Sequence, residues 1–218
     1  LSRADRIAGV EAGNALRARE ELVAASDRMD EMASTLVRAR ELAVLAANGA
    51  TSPDGRAAIA TEIAGLRDTL LSLANSTGAS GEPLFAGLGG APAYVKAADG
   101  SVIYTGSAEP GELEIGPGIA VQRGLAGPAI LSFEDGGSAS DVFALLGALE
   151  QGLRGGVGDS ATAARDSLSG FDAAIETLGR GQAVVGTRLA WVDTVETIAS
   201  QMGESRVVEA ADAGGADL

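Results

Sequence analysis

The chain has no cysteine and no histidine among its 218 residues. That excludes disulfides, thiolate nucleophiles, most zinc and copper sites and the commonest general base near neutral pH. Lysine occurs once, at Lys96, and aromatic residues make up 3% of the chain. A Ser-His-Asp arrangement is impossible, a catalytic lysine has one candidate, and a platform for stacking bases has almost no material. Lys96 falls in a stretch that reads as a hairpin, where a solvated strand charge is the expected role. Positive charge is also scarce: 16 Lys+Arg face 30 Asp+Glu, a net charge of −14, and the arginines are dispersed. No nucleic-acid partner is expected, because nothing forms a basic patch for a phosphate backbone. No apolar run approaches the ~20 residues of a bilayer span, and residues 1–14 lack the apolar stretch of a signal peptide. No membrane partner and no cofactor are expected.

What the chain does have is helical periodicity. Ala15, Ala18, Leu22, Ala25, Met29, Met32, Leu36, Ala39, Ala43 and Ala46 recur at alternating steps of three and four, a heptad seam between charged residues. Its many alanines allow a partner helix to approach closely. Asn48-Gly49 reads as a left-handed helix stop, Ser52 as the cap and Pro53 as the first turn of a second helix, whose seam is Ile59, Ile63, Leu66, Leu70 and Leu73. Two long helices joined by so short a corner form an antiparallel hairpin.

The pattern then changes. Residues 93–104 read as a β-hairpin around Asp99-Gly100 and 112–122 as another around Gly-Pro-Gly. Helical period returns over 140–153, stops at Gly155-Gly156, and resumes after the caps Asp159 and Ser160. The last helix aligns Leu168, Phe171, Ile175, Leu178, Val185, Leu189, Val192, Val195, Ala199 and Met202 over some 45 residues, as long as the first. Gly179, Gly181 and Gly186 inside it point to close backbone approach. The expected fold is mainly α with a small β insert (α+β): a long antiparallel helical rod or bundle plus a β-hairpin-rich domain. Its divisions are rod helices over 1–80, a β-rich outer domain over 81–138 and C-terminal rod helices over 139–218.

Candidate chemistry is sparse. Residues 85–92, "FAGLGGAP", lack the Gly-Lys-Ser/Thr of a phosphate loop. Asp27, Asp30 and Glu31 lie close enough on the first helix to imagine a divalent-cation site, against which stands a solvated acidic face. "DAGGAD" (212–217) lacks the length and ligand spacing of a calcium loop and reads as a frayed end. Asn75-Ser76-Thr77 matches a glycosylation acceptor, but its place at a helix end favours capping. Phe171 and Trp191 read as core or assembly contacts.

"LVRARELAVLAANGATSPDGRAAIATEIAGLRDTLLSLANSTGASGEPLFAG" (36–87) resembles the N-terminal rod segment of bacterial flagellins and their junction relatives. The carriers are Arg40-Glu41-Leu42-Ala43, Asn48-Gly49, Arg56, Glu62-Ile63, Ala74-Asn75 and Phe85-Ala86-Gly87. Residues 171–193 resemble the matching C-terminal rod helix through Arg180, Gly186, Arg188 and Leu189. The middle, with a strand ending Tyr-x-Gly before an acidic Glu-Ile-x-Pro-Gly, is similar to the short β domain of the hook-filament junction branch.

That resemblance implies a non-enzymatic structural protein of the flagellum, exported through the flagellar secretion system without a cleaved signal peptide. Its implied partners are copies of itself in a lateral ring, a neighbouring hook-associated protein, flagellin and, for the full-length chain, an export chaperone. Arg40, Glu41, Asn48, Gly49, Arg56, Glu62, Asn75, Arg180 and Arg188 are the implied assembly contacts. The chain opens on Leu1 and closes on "GGADL", so it reads as a fragment or processed product, expected to be monomeric or weakly associating. The alternatives are a filament flagellin and, from another class, an acidic metal-dependent enzyme using the carboxylates of the first helix.

Overall fold

The computed structural model describes residues 3–90, 92–155 and 159–215, with side chains described through residue 205. Every expected member of the first seam, from Ala15 to Ala46, is buried in α1 (Arg3–Ala47). The helix begins earlier than its seam because residues 3–14 stay helical while largely exposed. Burial periodicity registers only where a partner lies. α2 (Pro53–Ala74) folds back along α1, with the Ser52 hydroxyl accepting from the Gly55 amide at 3.1 Å and Pro53 in its first turn.

Three hairpins follow: β1 (Tyr94–Lys96) with β2 (Val102–Tyr104), β3 (Glu112–Gly116) with β4 (Ile119–Gln122), and β5 (Ser132–Asp135) with β6 (Ser138–Asp141). Each is a separate antiparallel pair, and none shares a strand with another. The third pair, joined through Gly136-Gly137, is an addition to the two expected from sequence. Strand pairing therefore runs to Asp141, whose carboxylate caps the next helix by accepting from the amides of Phe143 and Ala144 at 2.8 and 2.9 Å. A one-turn α3 (Pro128–Leu131) leads into β5.

α4 (Val142–Leu153) packs on α2 and on α5 (Ser160–Gly215). Gly155, at φ 85°, follows α4; Gly156 lies outside the described residues. Asp159 supplies the carboxylate that caps α5, accepting from Thr162 N at 3.3 Å, while Ser160 is the first helical residue. α5 spans 56 residues against 45 for α1, so the two are unequal. Residues 212–215 of "DAGGAD" are helical, and 216 and 217 lie outside the described residues.

α1 and α5 run antiparallel as the spine of the rod. Arg19 pairs with Asp193 and Glu196, Asp30 with Gln182, and Arg40 with Asp172, so partners descend along α5 as they ascend along α1. Phe171, Leu178, Val185, Val192 and Val195 are buried, whereas Ala199 and Met202, expected in the seam, are exposed. Val195, the last buried member of the seam, lies against Gly116 of β3. Trp191 is 46% exposed and is no part of the core. Of the three glycines, Gly181 carries the close approach: a Cβ there would stand 2.5 Å from Ile130 Cγ2 and 2.9 Å from Met29 Cε, whereas Gly179 and Gly186 face open space.

Candidate functional site

Three of the nine candidate residues meet at the corner between α1 and α2. α1 does not end in a left-handed residue: neither Asn48 nor Gly49 has a positive φ. Instead the free carbonyls of its last turn are taken up by side chains. Thr51 Oγ1 donates to the Leu45 carbonyl at 2.8 Å, Arg56 Nε to the Ala46 carbonyl at 3.3 Å, and Arg56 Nη2 to the Asn48 carbonyl at 3.4 Å. Asn48 Oδ1 accepts from the Ala50 amide at 3.1 Å. A cation from the first turn of α2 thus neutralises the negative end of α1, which fixes the corner.

Glu41 and Glu62 meet at a residue the sequence reading passed over. Arg38 donates from Nε to Glu62 at 2.8 Å and from Nη1 to Glu41 at 3.3 Å, and these carboxylates raise its pKa. Arg40 stands apart, on the flank toward α5, donating to Asp172 at 2.7 Å. Arg180 stays on its own helix, bonded to Glu176 and Thr177 at 3.2 and 2.9 Å, beside β5.

The other two candidates tie the hairpins to the rod. Asn75 pairs with the backbone of Tyr94 through both ends of its amide, donating to the carbonyl and accepting from the N–H, each at 2.8 Å. It is also the C-cap of α2, so its amide nitrogen is engaged rather than displayed as a glycosylation acceptor. Arg188 donates to the Gly124 carbonyl at 2.6 Å and to Gln122, and its burial lowers its pKa.

Sequence reasoning missed three further ties. Arg123 forms a two-bond fork with Glu21 at 2.7 and 2.6 Å, which raises the arginine pKa. Arg67 donates to the Gly100 carbonyl, and Asn14 to the Glu114 carbonyl at 2.8 Å. Glu21 lies beside the apolar seam of α1, and no local signal distinguishes it from the neighbouring surface carboxylates.

Asp30 accepts from Gln182 at 2.6 Å and Glu31 from Arg28 at 2.5 Å. Among the described residues no cluster of three or more acidic side chains is placed to hold a metal ion. The cavity beside Arg123 holds ≈ 90 Å³, below the ~300 Å³ at which small-molecule sites begin, and the larger concavities of ≈ 560, ≈ 370 and ≈ 480 Å³ are grooves open to solvent. Among the described residues, most of these side chains join one element to another.

Residues 5–89 match the family model described as the bacterial flagellin N-terminal helical region. Residues 5–89, which hold α1 from Asp5 onward and all of α2, are thus similar to the helical region of a flagellin. Over a longer span the chain is similar to flagellar hook-associated protein 3 of Escherichia coli (strain K12), 30% identical over 200 residues that cover 84% of this chain and 62% of that protein. The chain thus spans less than two thirds of that relative. In fold it is similar to FlgL of Xanthomonas campestris, with a TM-score of 0.86 and 19% identity over 97% of this chain and 100% of that one. Bacillus cereus flagellin gives a TM-score of 0.52 at 18% identity over 82% of this chain and 84% of that one. No described helix is long and apolar enough to cross a membrane.

Proposed function

We propose that this chain is a structural component of the hook-filament junction of the bacterial flagellum. It links a neighbouring hook-associated protein on one side to flagellin on the other and packs laterally against its own copies. It acts by complementarity of preformed surfaces, without catalysis. The observation that carries this reading is the extent of the likeness to hook-associated protein 3, which at 200 residues runs well beyond the flagellin-type region at 5–89 and so takes in the hairpins. The weaker fold agreement with a flagellin supports this reading over the alternative of a filament subunit.

In this reading the rod lies inward and the hairpins of 81–138 face solvent. The corner formed by Asn48, Gly49 and Arg56 is one end of the α1–α2 hairpin and meets an axial neighbour. Arg40, Glu41, Glu62, Asn75, Arg180 and Arg188 contribute by holding the surfaces around them in place. The protein works outside the cell on the flagellum, reached through the flagellar secretion system, with a chaperone serving the full-length form. Deleting the gene in its own organism tests this. A strain that sheds unassembled flagellin into the medium, and regains filaments when the gene returns, supports the junction. A strain that makes no flagellin identifies the filament subunit.

A further inference from the structure

The fold around Asn48-Gly49 does not call for a glycine. Gly49 has no positive φ, and a Cβ built on it would meet nothing within 4 Å. What a glycine does leave there is an uncrowded amide nitrogen. That nitrogen has no hydrogen-bond partner among the described residues. It follows directly on an asparagine, so it can close a succinimide ring on the side-chain carbon Cγ.

The neighbours favour that closure at each reacting group. The Asn48 carbonyl, in the same peptide unit as the Gly49 nitrogen, accepts from Thr51 N at 3.1 Å and from Arg56 Nη2 at 3.4 Å. Donors on this oxygen, one of them a cation, stabilise the deprotonated peptide that acts as nucleophile. Asn48 Oδ1 accepts from the Ala50 amide at 3.1 Å, which polarises Cγ and holds the oxygen where negative charge gathers during attack. The leaving group, Nδ2, is unheld among the described residues.

The other two asparagines lack this arrangement. Asn14 lies inside α1 before Ala15, with Nδ2 bound to the Glu114 carbonyl at 2.8 Å. Asn75 precedes Ser76 and has both ends of its amide bound to Tyr94.

We infer that Asn48 is a site of self-modification, at which the Gly49 nitrogen attacks Cγ and the side-chain amide becomes a carboxylate without an enzyme. The N–Cγ bond forms as the Cγ–Nδ2 bond breaks, and ammonia leaves carrying the proton given up by the Gly49 nitrogen. Water then opens the succinimide. Attack at Cγ gives aspartate; attack at the backbone carbonyl carbon gives isoaspartate, whose chain runs through the side chain. Both residues are exposed, so water reaches the ring. Either product sets a negative charge at the C-terminal end of α1, where the helix dipole opposes it, and beside Arg56, which it draws from the carbonyls it now caps. The inference stands whether or not this corner meets an axial neighbour; where it does, the change falls on that contact.

The test incubates the purified chain at mildly alkaline pH and follows its peptides by mass spectrometry, with enzymatic methylation to label isoaspartate. Asn48 should convert at least ~10-fold faster than Asn14 or Asn75, the effect of a favourably oriented nucleophile, and faster as pH rises. The mass gain from amide to acid separates this from isomerisation at Asp54, Asp99 or Asp135, each also followed by glycine, which leaves the mass unchanged. Gly49→Ala, whose methyl meets open space, should slow conversion at least ~10-fold by crowding the nitrogen. Arg56→Gln keeps the Asn-Gly pair and should slow it by about 3-fold, whereas a corner that was merely loosened would convert faster. Circular dichroism checks that both variants fold.

An Asn48 amide that lasts as long as that of Asn75, or a Gly49→Ala chain that converts at the unsubstituted rate, overturns the inference. Faster conversion in Arg56→Gln overturns the part assigned to Arg56. None of these results bears on the junction reading, which the gene deletion tests separately.

Discussion

The rod and the hairpins are held by different physics. Along α1 and α5 the side chains facing inward are apolar and fully buried, among them Leu22, Met29, Leu36, Phe171, Leu178 and Val185. The hairpins have no common sheet, and each is attached to the helices in part by polar side chains: Asn75 on β1, Arg67 beyond it, Asn14 on β3, Arg123 and Arg188 around β4, and Ser169 on Asp135 of β5. Apolar burial is strong and non-directional, whereas a bond to a backbone carbonyl is weaker and fixes orientation. The rod therefore sets stability, and the polar ties set where the hairpins point.

The comparison breaks most visibly at the rod. Phe171→Ala should cost about 3–5 kcal/mol, the loss of a buried ring plus its cavity, seen as a large drop in the midpoint of a urea titration of the whole chain. A loss confined to one hairpin would mean that the rod is not the cooperative unit. Gly181→Ala comes next. Its new methyl would crowd Ile130 and Met29, so overpacking of about 1–3 kcal/mol should exceed the ~1 kcal/mol gained in helix propensity. A net stabilisation would show that α3 can move away from α5.

Tyr94 sharpens the contrast from the hairpin side. Its ring packs 5.1 Å from both Tyr104 and Phe143, and its Oη is buried with no hydrogen-bond partner among the described residues. Tyr94→Phe should therefore change stability at pH 7 by less than about 1 kcal/mol, in the stabilising direction. Burial pushes the Tyr94 phenol above its usual value. A folded-state pKa raised in this way contributes stability that is fully present below the unfolded value of ~10 and is lost as pH rises through the folded one. The unsubstituted chain should accordingly lose thermal stability above pH ~10, and Tyr94→Phe should lose less. Arg40→Ala should have the smallest effect, about 0.2–1 kcal/mol, because both members of its pair are largely exposed. The same substitution should weaken assembly by more than it lowers the melting temperature, which sedimentation and calorimetry would separate.

The helices were legible because burial against a partner helix leaves a period in the sequence. Ala15 to Ala46 shows it at every step. The ends were not, since residues 3–14 are helical while largely exposed, and Met202 continues the seam pattern on a stretch of α5 that is exposed. Two hairpins were announced by Asp99-Gly100 and Gly116-Pro117-Gly118. The third, Ser132–Asp141, is short and runs straight into a helix cap, so it carries no separate hairpin signal and its last residues fall within the helical period read over 140–153. At the candidate site the structure gives residues proposed as assembly contacts partners within the chain that the sequence did not name. Arg56 closes a helix end and Asn75 and Arg188 hold hairpins, and such long-range partners leave no local pattern. Arg38, Arg67 and Glu21 were missed for the same reason.

Hydrogen exchange on Asn75→Ala tests the division between rod and hairpins most directly. The substitution leaves the Tyr94 amide and carbonyl without their partner, a loss of about 1–3 kcal/mol confined to that attachment. Amides of β1 and β2 should exchange at least ~10-fold faster, while those of α1 and α5 between Leu22 and Val192 keep their protection. Equal acceleration across the hairpin and the rod would contradict the account, since the two regions would then open as one.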